Sequence, residues 1–380
     1  MTPVFDFRLT ATHDGARCGI LSTPHGGVDT PAFMPVGTAG SIKGVTPEQL
    51  RATGTQILLA NTYHLQLRPT AEIVRDLGGL HRFMAWDGPI LTDSGGYQVF
   101  SLAEINRIDD CGVEFRSHID GATLRLDPSS AMVIQNQLGA DIIMAFDQCP
   151  PLPSDPETLD LAVRRTIRWA NACKQAHART DQALFGIVQG GLDSELRRRC
   201  AASLVEIGFD GYAIGGLSVG ETHEEMAAVL PGITAPLPPG RPRYLMGVGT
   251  PRDILMAVRA GVDMFDCVLP TRNGRNSHAF TAGGILRMRN EQYRRDDRPI
   301  EPGCDCETCA RFSRGYIRHL FNSAEMLGPT LTSVHNIRFY QRLVARLRDL
   351  IASQKLDTIV NEFPICAAAA QESPVEEDAR

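Results

Sequence analysis

The sequence predicts an α/β protein, a (β/α)8 TIM barrel preceded by N-terminal β-hairpins and carrying an inserted zinc-binding subdomain near its C-terminal end. Three observations predict it. Short apolar segments alternate with helix-like stretches through most of the chain, nearly every apolar segment ends in a glycine or polar residue, and three cysteines crowd together after the last one. Alternating strands and helices require a parallel sheet, because parallel neighbours cannot be joined by a tight hairpin. Open and closed sheets both fit that rhythm. The barrel is favoured because catalytic barrels carry their chemistry on the carboxyl ends of the strands.

The elements follow in order. Phe5 to Leu9, Gly19 to Leu21 and Val28 to Met34 alternate apolar and polar positions between Gly and Pro, which predicts hairpins. The apolar segments then begin at Ile57, Pro89, Ile142, Leu184, Tyr212, Tyr244 and Val262. Their ends read Asn61-Thr62-Tyr63-His64, Asp93-Ser94-Gly95-Gly96, Asp147-Gln148-Cys149, Gln189-Gly190-Gly191, Gly215-Gly216-Leu217, Gly247-Val248-Gly249 and Asp266. A single such residue is an ordinary strand cap, but seven in series fit a catalytic rim. Helices are expected at 46–53, 128–139, 155–179, 195–207, 222–230 and 251–260, the first three opened by Thr or Asp followed by Pro. Residues 231–242, with five prolines, read as a stiff connector.

Bulk properties narrow the function. Hydrophobic residues at 43% and charged residues at 22% are ordinary for a globular protein, and no apolar run approaches the length of a membrane span. The start shows no signal-peptide pattern, so a cytoplasmic protein is expected. Residues 1–366 read as one barrel domain with the zinc-binding subdomain at about 277–340, and 367–380 as a disordered tail. A net charge of −6 argues against general polyanion binding. Locally the balance reverses, because ten arginines face six acidic residues between Val268 and Leu320.

Cys304, Cys306 and Cys309 are followed by His335 after a helix-like stretch from Ala310 to Leu320. Three thiolates and an imidazole fill a tetrahedral zinc site and leave no place for water, so one structural Zn2+ is expected. His319 is the alternative fourth ligand, and a redox Cys-x-x-Cys the alternative chemistry.

The strand ends bring Asp93, Asp147 and Asp266 towards one barrel mouth. Asp266 interrupts an apolar run ahead of Pro270-Thr271-Arg272-Asn273-Gly274-Arg275. Such a carboxylate is paired with Arg272 or Arg275, sits at the strand end, or reacts. Three aspartates admit a divalent metal or carboxylate chemistry, and neighbours rich in Gly, Gln and Tyr favour the second. Glycosidic chemistry needs one carboxylate as nucleophile and another group for the leaving base. Asp147 and Gln189 offer coplanar hydrogen bonds to a base that Tyr97 and Met246 can sandwich.

The segments Asp93 to Phe100, Phe146 to Cys149, Gly186 to Gly191, Gly215 to Glu221, Tyr244 to Gly249 and Met264 to Arg275, with the zinc cysteines, resemble the bacterial tRNA-guanine transglycosylase family in order and over nearly the whole chain. That resemblance implies a barrel with a zinc-binding subdomain, a homodimer, and an enzyme that replaces the wobble guanine of tRNAs with GUN anticodons by a 7-deazaguanine on the way to queuosine. It makes Asp266 the nucleophile and Asp93 the acid/base group. It places Ser94, Gly95, Gly96, Asp147, Gln189, Gly216 and Leu217 around the base, with Tyr97 and Met246 on its faces. Cys149 and Val219 match the bacterial pair, which implies 7-aminomethyl-7-deazaguanine as substrate, with Glu221 near its aminomethyl group. The RNA backbone falls to Gly247, Val248, Gly249, Thr250, Pro251, Arg252 and Asp253, and to Thr271, Arg272, Asn273, Gly274 and Arg275. Ser218 stands where many bacterial members have Ala. A non-catalytic RNA-binding partner of the same fold and a glycosidase acting on free nucleosides remain the alternatives.

Overall fold

The computed structural model describes residues 5–102 and 104–367; the expected tail lies outside these residues apart from Ala367. Strands β1 (Asp6–His13), β2 (Ala16–Thr23) and β3 (Gly26–Thr30) form an antiparallel sheet. The chain then enters β4 (Ala32–Gly37), β5 (Leu58–Ala60) and β6 (Ile90–Thr92). A second antiparallel sheet, β7 (Glu104–Asp109), β8 (Gly112–Arg116) and β9 (Thr123–Leu126), interrupts the alternation. It resumes with β10 (Ile142–Met144), β11 (Ala183–Val188), β12 (Gly211–Ile214), β13 (Arg243–Leu245) and β14 (Met264–Cys267). The strands close as β4-β5-β6-β10-β11-β12-β13-β14, and β14 pairs with β4 in parallel, Asp266 opposite Met34. The fold is the expected (β/α)8 barrel.

The eighth strand corrects the sequence reading. Val28 to Met34 is not one hairpin segment: β3 ends at Thr30, and Ala32–Gly37 is the first barrel strand. Pro31 lacks the N–H needed to extend the β2–β3 ladder, and all six residues of β4 are buried. The helix His223–Thr234 runs through Pro231, so the connector is shorter than predicted; Leu230 and Ile233 bury the face that holds this last turn. The stretch 310–320 is two helices, Glu307–Arg311 and Arg314–Asn322, the second capped by Ser313. Residues 269–275 are a helix rather than a loop. Pro270 occupies its first turn, where a missing N–H costs nothing, and Gly274 lets it press against Ser333, whose backbone a Cβ would meet at 2.9 Å. The remaining predicted helices appear within a few residues of their expected ends, with Thr46 and Asp127 in reciprocal capping boxes.

Alternation fills two cores. Ile142 and Met144 join Met34, Leu59, Phe185 and Tyr244 inside the barrel, while Ile143 and Ala145 face the surrounding helices. Phe7, Leu21 and Val28 of the first sheet close the amino-terminal end. Two buried aspartates are anchored at that end. Asp263 accepts from Arg17 Nε at 3.1 Å and Nη2 at 2.9 Å and from the Arg243 N–H at 2.8 Å. Asp141 accepts from the Ile90 N–H at 2.8 Å and pairs with His25 at 2.7 Å and His81 at 3.0 Å. The strands β15 (His278–Thr281) and β16 (Gly284–Arg287) lead into the cysteine cluster, and the long helix Leu327–Ala352 returns along the barrel.

Candidate active site

The carboxyl ends of the barrel strands surround a cavity of about 530 Å3, ample for a nucleotide base and its sugar. Asp93, Asp147 and Asp266 all line it. Asp93, just past β6, is fixed by donors from the end of β5: Asn61 Nδ2 at 2.5 Å and the Thr62 N–H at 2.7 Å. Burial raises its pKa to about 6 against the pull of these donors, and the charge of Asp266 adds to the rise. Asp266 takes both the Tyr244 hydroxyl, at 2.6 Å, and the Gly247 N–H, at 2.7 Å, on the same oxygen, Oδ1. Its pKa is also raised by burial. Arg272 lines the same cavity, yet Tyr244 and Gly247 are the groups that hold the carboxylate.

Asp147 accepts from Ser94 Oγ at 2.8 Å and from Gln189 Nε2 at 2.7 Å, one on each oxygen. The other end of the Gln189 amide, Oε1, is buried without a partner and packs against Gly216. Gln189 lies flat against Gly215 and Gly216. A Cβ on Gly215 would come within 2.7 Å of its nitrogen, and one on Gly216 would collide with its oxygen. Cys149, Leu217, Val219, Met246 and Tyr97 complete the wall, and burial pushes the Cys149 thiol up to about 12, so it is a neutral contact. Glu221 stands behind the wall, accepting from the Ser218 N–H and, at 3.1 Å, from the Val219 N–H. Gly95 and Gly96 are not on the wall. Gly96 starts a helix, and a Cβ there would meet the Asp147 carbonyl at 2.7 Å.

At the rim, Gly247, Gly249, Thr250, Asp253 and Arg272 face the cavity, and Gly247 and Arg272 are exposed. Thr250 caps the helix Pro251–Arg259 through the Asp253 N–H, and Arg252 pairs with Glu224 at 3.1 Å. Val248, Pro251, Thr271, Asn273 and Gly274 are buried and shape the rim from beneath, whereas Arg275 is half-buried on it. Asn336 of the long helix locks this region by donating to the carbonyls of Pro270 and His278, each at 2.9 Å.

Cys304, Cys306, Cys309 and His335 converge, their ligand atoms within 4.8 Å of one another. His335 Nδ1 lies 3.7, 3.6 and 3.3 Å from the three sulfurs. A tetrahedral zinc with Zn–S of about 2.3 Å and Zn–N of about 2.1 Å needs N···S edges of about 3.6 Å, so the cluster fits that ion. The imidazole's other nitrogen, Nε2, donates to the Phe280 carbonyl at 2.7 Å, which presents Nδ1 to the metal. His335 is thus placed with the cysteines.

Residues 12–365 match the family profile described as TGT, queuine tRNA-ribosyltransferase. The chain is 54% identical over 349 residues to a queuine tRNA-ribosyltransferase of Moorella thermoacetica, covering 92% of this chain and 94% of that one. It is 52% identical over 376 residues to one from Cereibacter sphaeroides, covering 99% and 100%, and 53% identical over 360 residues to one from Lysinibacillus sphaericus, covering 94% of each. The chain belongs to the queuine tRNA-ribosyltransferase family.

For a queuine tRNA-ribosyltransferase family member, the supporting residues are as informative as the aspartates. The sequence assigns no role to Tyr244, to Thr62 and Asn61 beneath Asp93, or to Arg197 behind Gly215 and Gly216. Asn61 and Thr62 do stand at a strand end, which is a usable signal, and Tyr244 sits at an inward strand position. Arg197 lies inside a helix with two further arginines beside it, and nothing in its spacing marks it.

Proposed function

We propose that this protein exchanges the wobble guanine of tRNAs with GUN anticodons for 7-aminomethyl-7-deazaguanine by double displacement. The observation that carries this reading is a cavity holding three carboxylates fixed by uncharged donors, so that each keeps its chemical capacity. With Oδ1 of Asp266 held by Tyr244 and Gly247, Oδ2 attacks C1′ of the ribose and forms a covalent ribosyl ester. Asp93, with a pKa of about 6, gives its proton to the departing guanine and takes one from the incoming base. Asp147, Gln189 and the Gly216 and Leu217 backbone read the base edge, with Tyr97 and Met246 against its faces. Cys149, Val219 and Glu221 bound the space for the aminomethyl group. Arg272 and Arg275, with residues 247–250 and the first turn of the helix Pro251–Arg259, hold the RNA backbone while one base is drawn into the pocket.

The Cys304, Cys306, Cys309 and His335 cluster would hold one Zn2+, whose contribution is to tie the region of residues 277–340 together. Residues 1–366 would then act as one barrel unit with this module attached. The exposed apolar side chains Tyr316, Met326 and Leu327 within the module support a homodimer. Ten free cysteines fit a reducing cytoplasm, and among the described residues no helix is long and apolar enough to cross a membrane.

Labelled guanine incubated with a GUN-anticodon tRNA tests the reading: label enters the tRNA, unlabelled 7-aminomethyl-7-deazaguanine chases it in, and Asp266→Asn abolishes both. Tight tRNA binding without exchange in the unaltered protein would indicate a binding partner, and hydrolysis of free guanosine a glycosidase. Cys306→Ser should lower zinc content and thermal stability together; full zinc occupancy in that variant would contradict the ligand set.

A further inference from the structure

We propose that Arg197 is a positioning residue that polarises the Gly215–Gly216 peptide, so that the Gly216 N–H stabilises negative charge on the base as it leaves the ribose. The inference rests on the exchange reaction proposed above. Arg197 lies in the helix Ser194–Ile207, which starts directly behind the base-side wall, and its side chain is completely buried. Its guanidinium donates to four carbonyls: Gly191 at 2.8 Å, Val188 at 2.9 Å, Gly215 at 2.7 Å and Gly216 at 3.0 Å. These acceptors come from the ends of two neighbouring strands, β11 and β12. A buried cation with carbonyl partners is costly, so its placement against this one wall calls for an explanation. Burial lowers its pKa to about 10, which leaves it charged at neutral pH.

The Gly215 carbonyl and the Gly216 N–H belong to one peptide unit. A charged donor on the carbonyl draws electron density through the amide and strengthens the N–H at its other end. That N–H lies close enough to the Cys149 thiol to offset part of the effect of burial on it, and Cys149 and Gly216 both line the cavity. A thiol is a weak acceptor, so the N–H is available to a stronger one. As the C1′–N bond of the nucleotide breaks and the Asp266 O–C1′ bond forms, the bonding pair stays with the base. It delocalises onto the ring carbonyl oxygen until Asp93 delivers a proton to the ring nitrogen. A donor poised at that oxygen gains strength as the charge develops, which is the requirement for lowering the barrier. Gly190 makes the approach possible, since a Cβ there would meet the Arg197 N at 2.8 Å.

The test compares Arg197→Gln and Arg197→Lys with the unaltered enzyme in single-turnover transfer from anticodon stem-loops bearing either guanine or 8-azaguanine at the exchanged position. The 8-aza ring nitrogen is more acidic, so that base needs less help to leave. Arg197→Gln should slow transfer from the guanine substrate about a hundred-fold at saturating RNA, with KM changed less than about two-fold. The loss should shrink to under about five-fold with 8-azaguanine, and Arg197→Lys, which keeps the charge but not the planar fork, should show a smaller loss of the same kind, greater on guanine than on 8-azaguanine. A purely structural clamp would give equal losses for the two bases, or a loss expressed in KM, and either result overturns the proposal. Should Arg197→Gln not fold, Arg197→Lys carries the comparison: a defect larger on guanine than on 8-azaguanine supports the proposal, and equal defects refute it. If the unaltered enzyme transfers neither base, the reaction itself is misassigned; that outcome is separate from normal transfer with indifferent variants.

Discussion

The two ends of the barrel use the same residue for opposite purposes. At the amino-terminal end, Asp263 and Asp141 are buried against groups that carry or can carry positive charge: Arg17 for the first, His25 and His81 for the second. At the carboxyl end, Asp93, Asp147 and Asp266 are held by an amide, a hydroxyl, a phenol and backbone N–H groups, none of them cationic. Asp263, just ahead of β14, and Asp266, within it, are three residues apart and are held by different kinds of partner. A guanidinium places an opposite charge against a buried carboxylate and makes it a fastening, whereas uncharged donors orient it with no opposite charge beside it. Burial alone therefore does not separate the two groups of aspartates; the charge of their partners does.

The largest test of this contrast is Asp263→Asn. Removing one member of a buried pair strands Arg17 beside Arg243, and chemical denaturation should show a loss of about 3–5 kcal/mol. Exchange per folded molecule should be unchanged, because the pair is remote from the cavity. A stable variant that has lost activity would reverse the assignment of the two ends.

Asp93→Asn should act in the other direction. The folded pKa of about 6 lies above the unfolded value near 3.8, so this carboxyl favours folding below about pH 4 and that contribution is lost as pH rises through 6. The variant escapes the loss. Its stability relative to the unaltered protein should rise by about 3 kcal/mol between pH 4 and pH 8, while exchange collapses. A pH-independent difference would mean that burial does not raise the Asp93 carboxyl in the folded protein. The smallest effect is expected for His25→Ala. His25 is exposed and His81 still faces Asp141, so the cost should stay below about 1 kcal/mol with exchange unaltered.

The sequence makes the barrel legible because inward and outward positions alternate and strand ends are punctuated by Gly and polar residues. Ala32–Gly37 escapes that reading because it follows β3 after a single proline, with no helix between them to mark a new unit. The three aspartates are visible for the same reason as the strands. What holds them is not, since Asn61 lies 32 residues from Asp93 and Tyr244 lies 22 from Asp266, and the partnerships exist only once the barrel closes. The helical state of residues 269–275 is hidden by Pro270 and Gly274, residues that read as a loop until Ser333 is seen pressed against the glycine. The metal ligands are the most legible part, because three closely spaced cysteines state their purpose locally and leave only the histidine to be found.

The central claim is that Asp266 carries the ribose between two bases. Mixing the protein with a GUN-anticodon tRNA in the absence of an incoming base, quenching under denaturing conditions and mapping the adduct by mass spectrometry tests it directly. An RNA–protein ester should form on Asp266, disappear when 7-aminomethyl-7-deazaguanine is added, and never form with Asp266→Asn. An adduct on Asp93, or one that survives in Asp266→Asn, would contradict it.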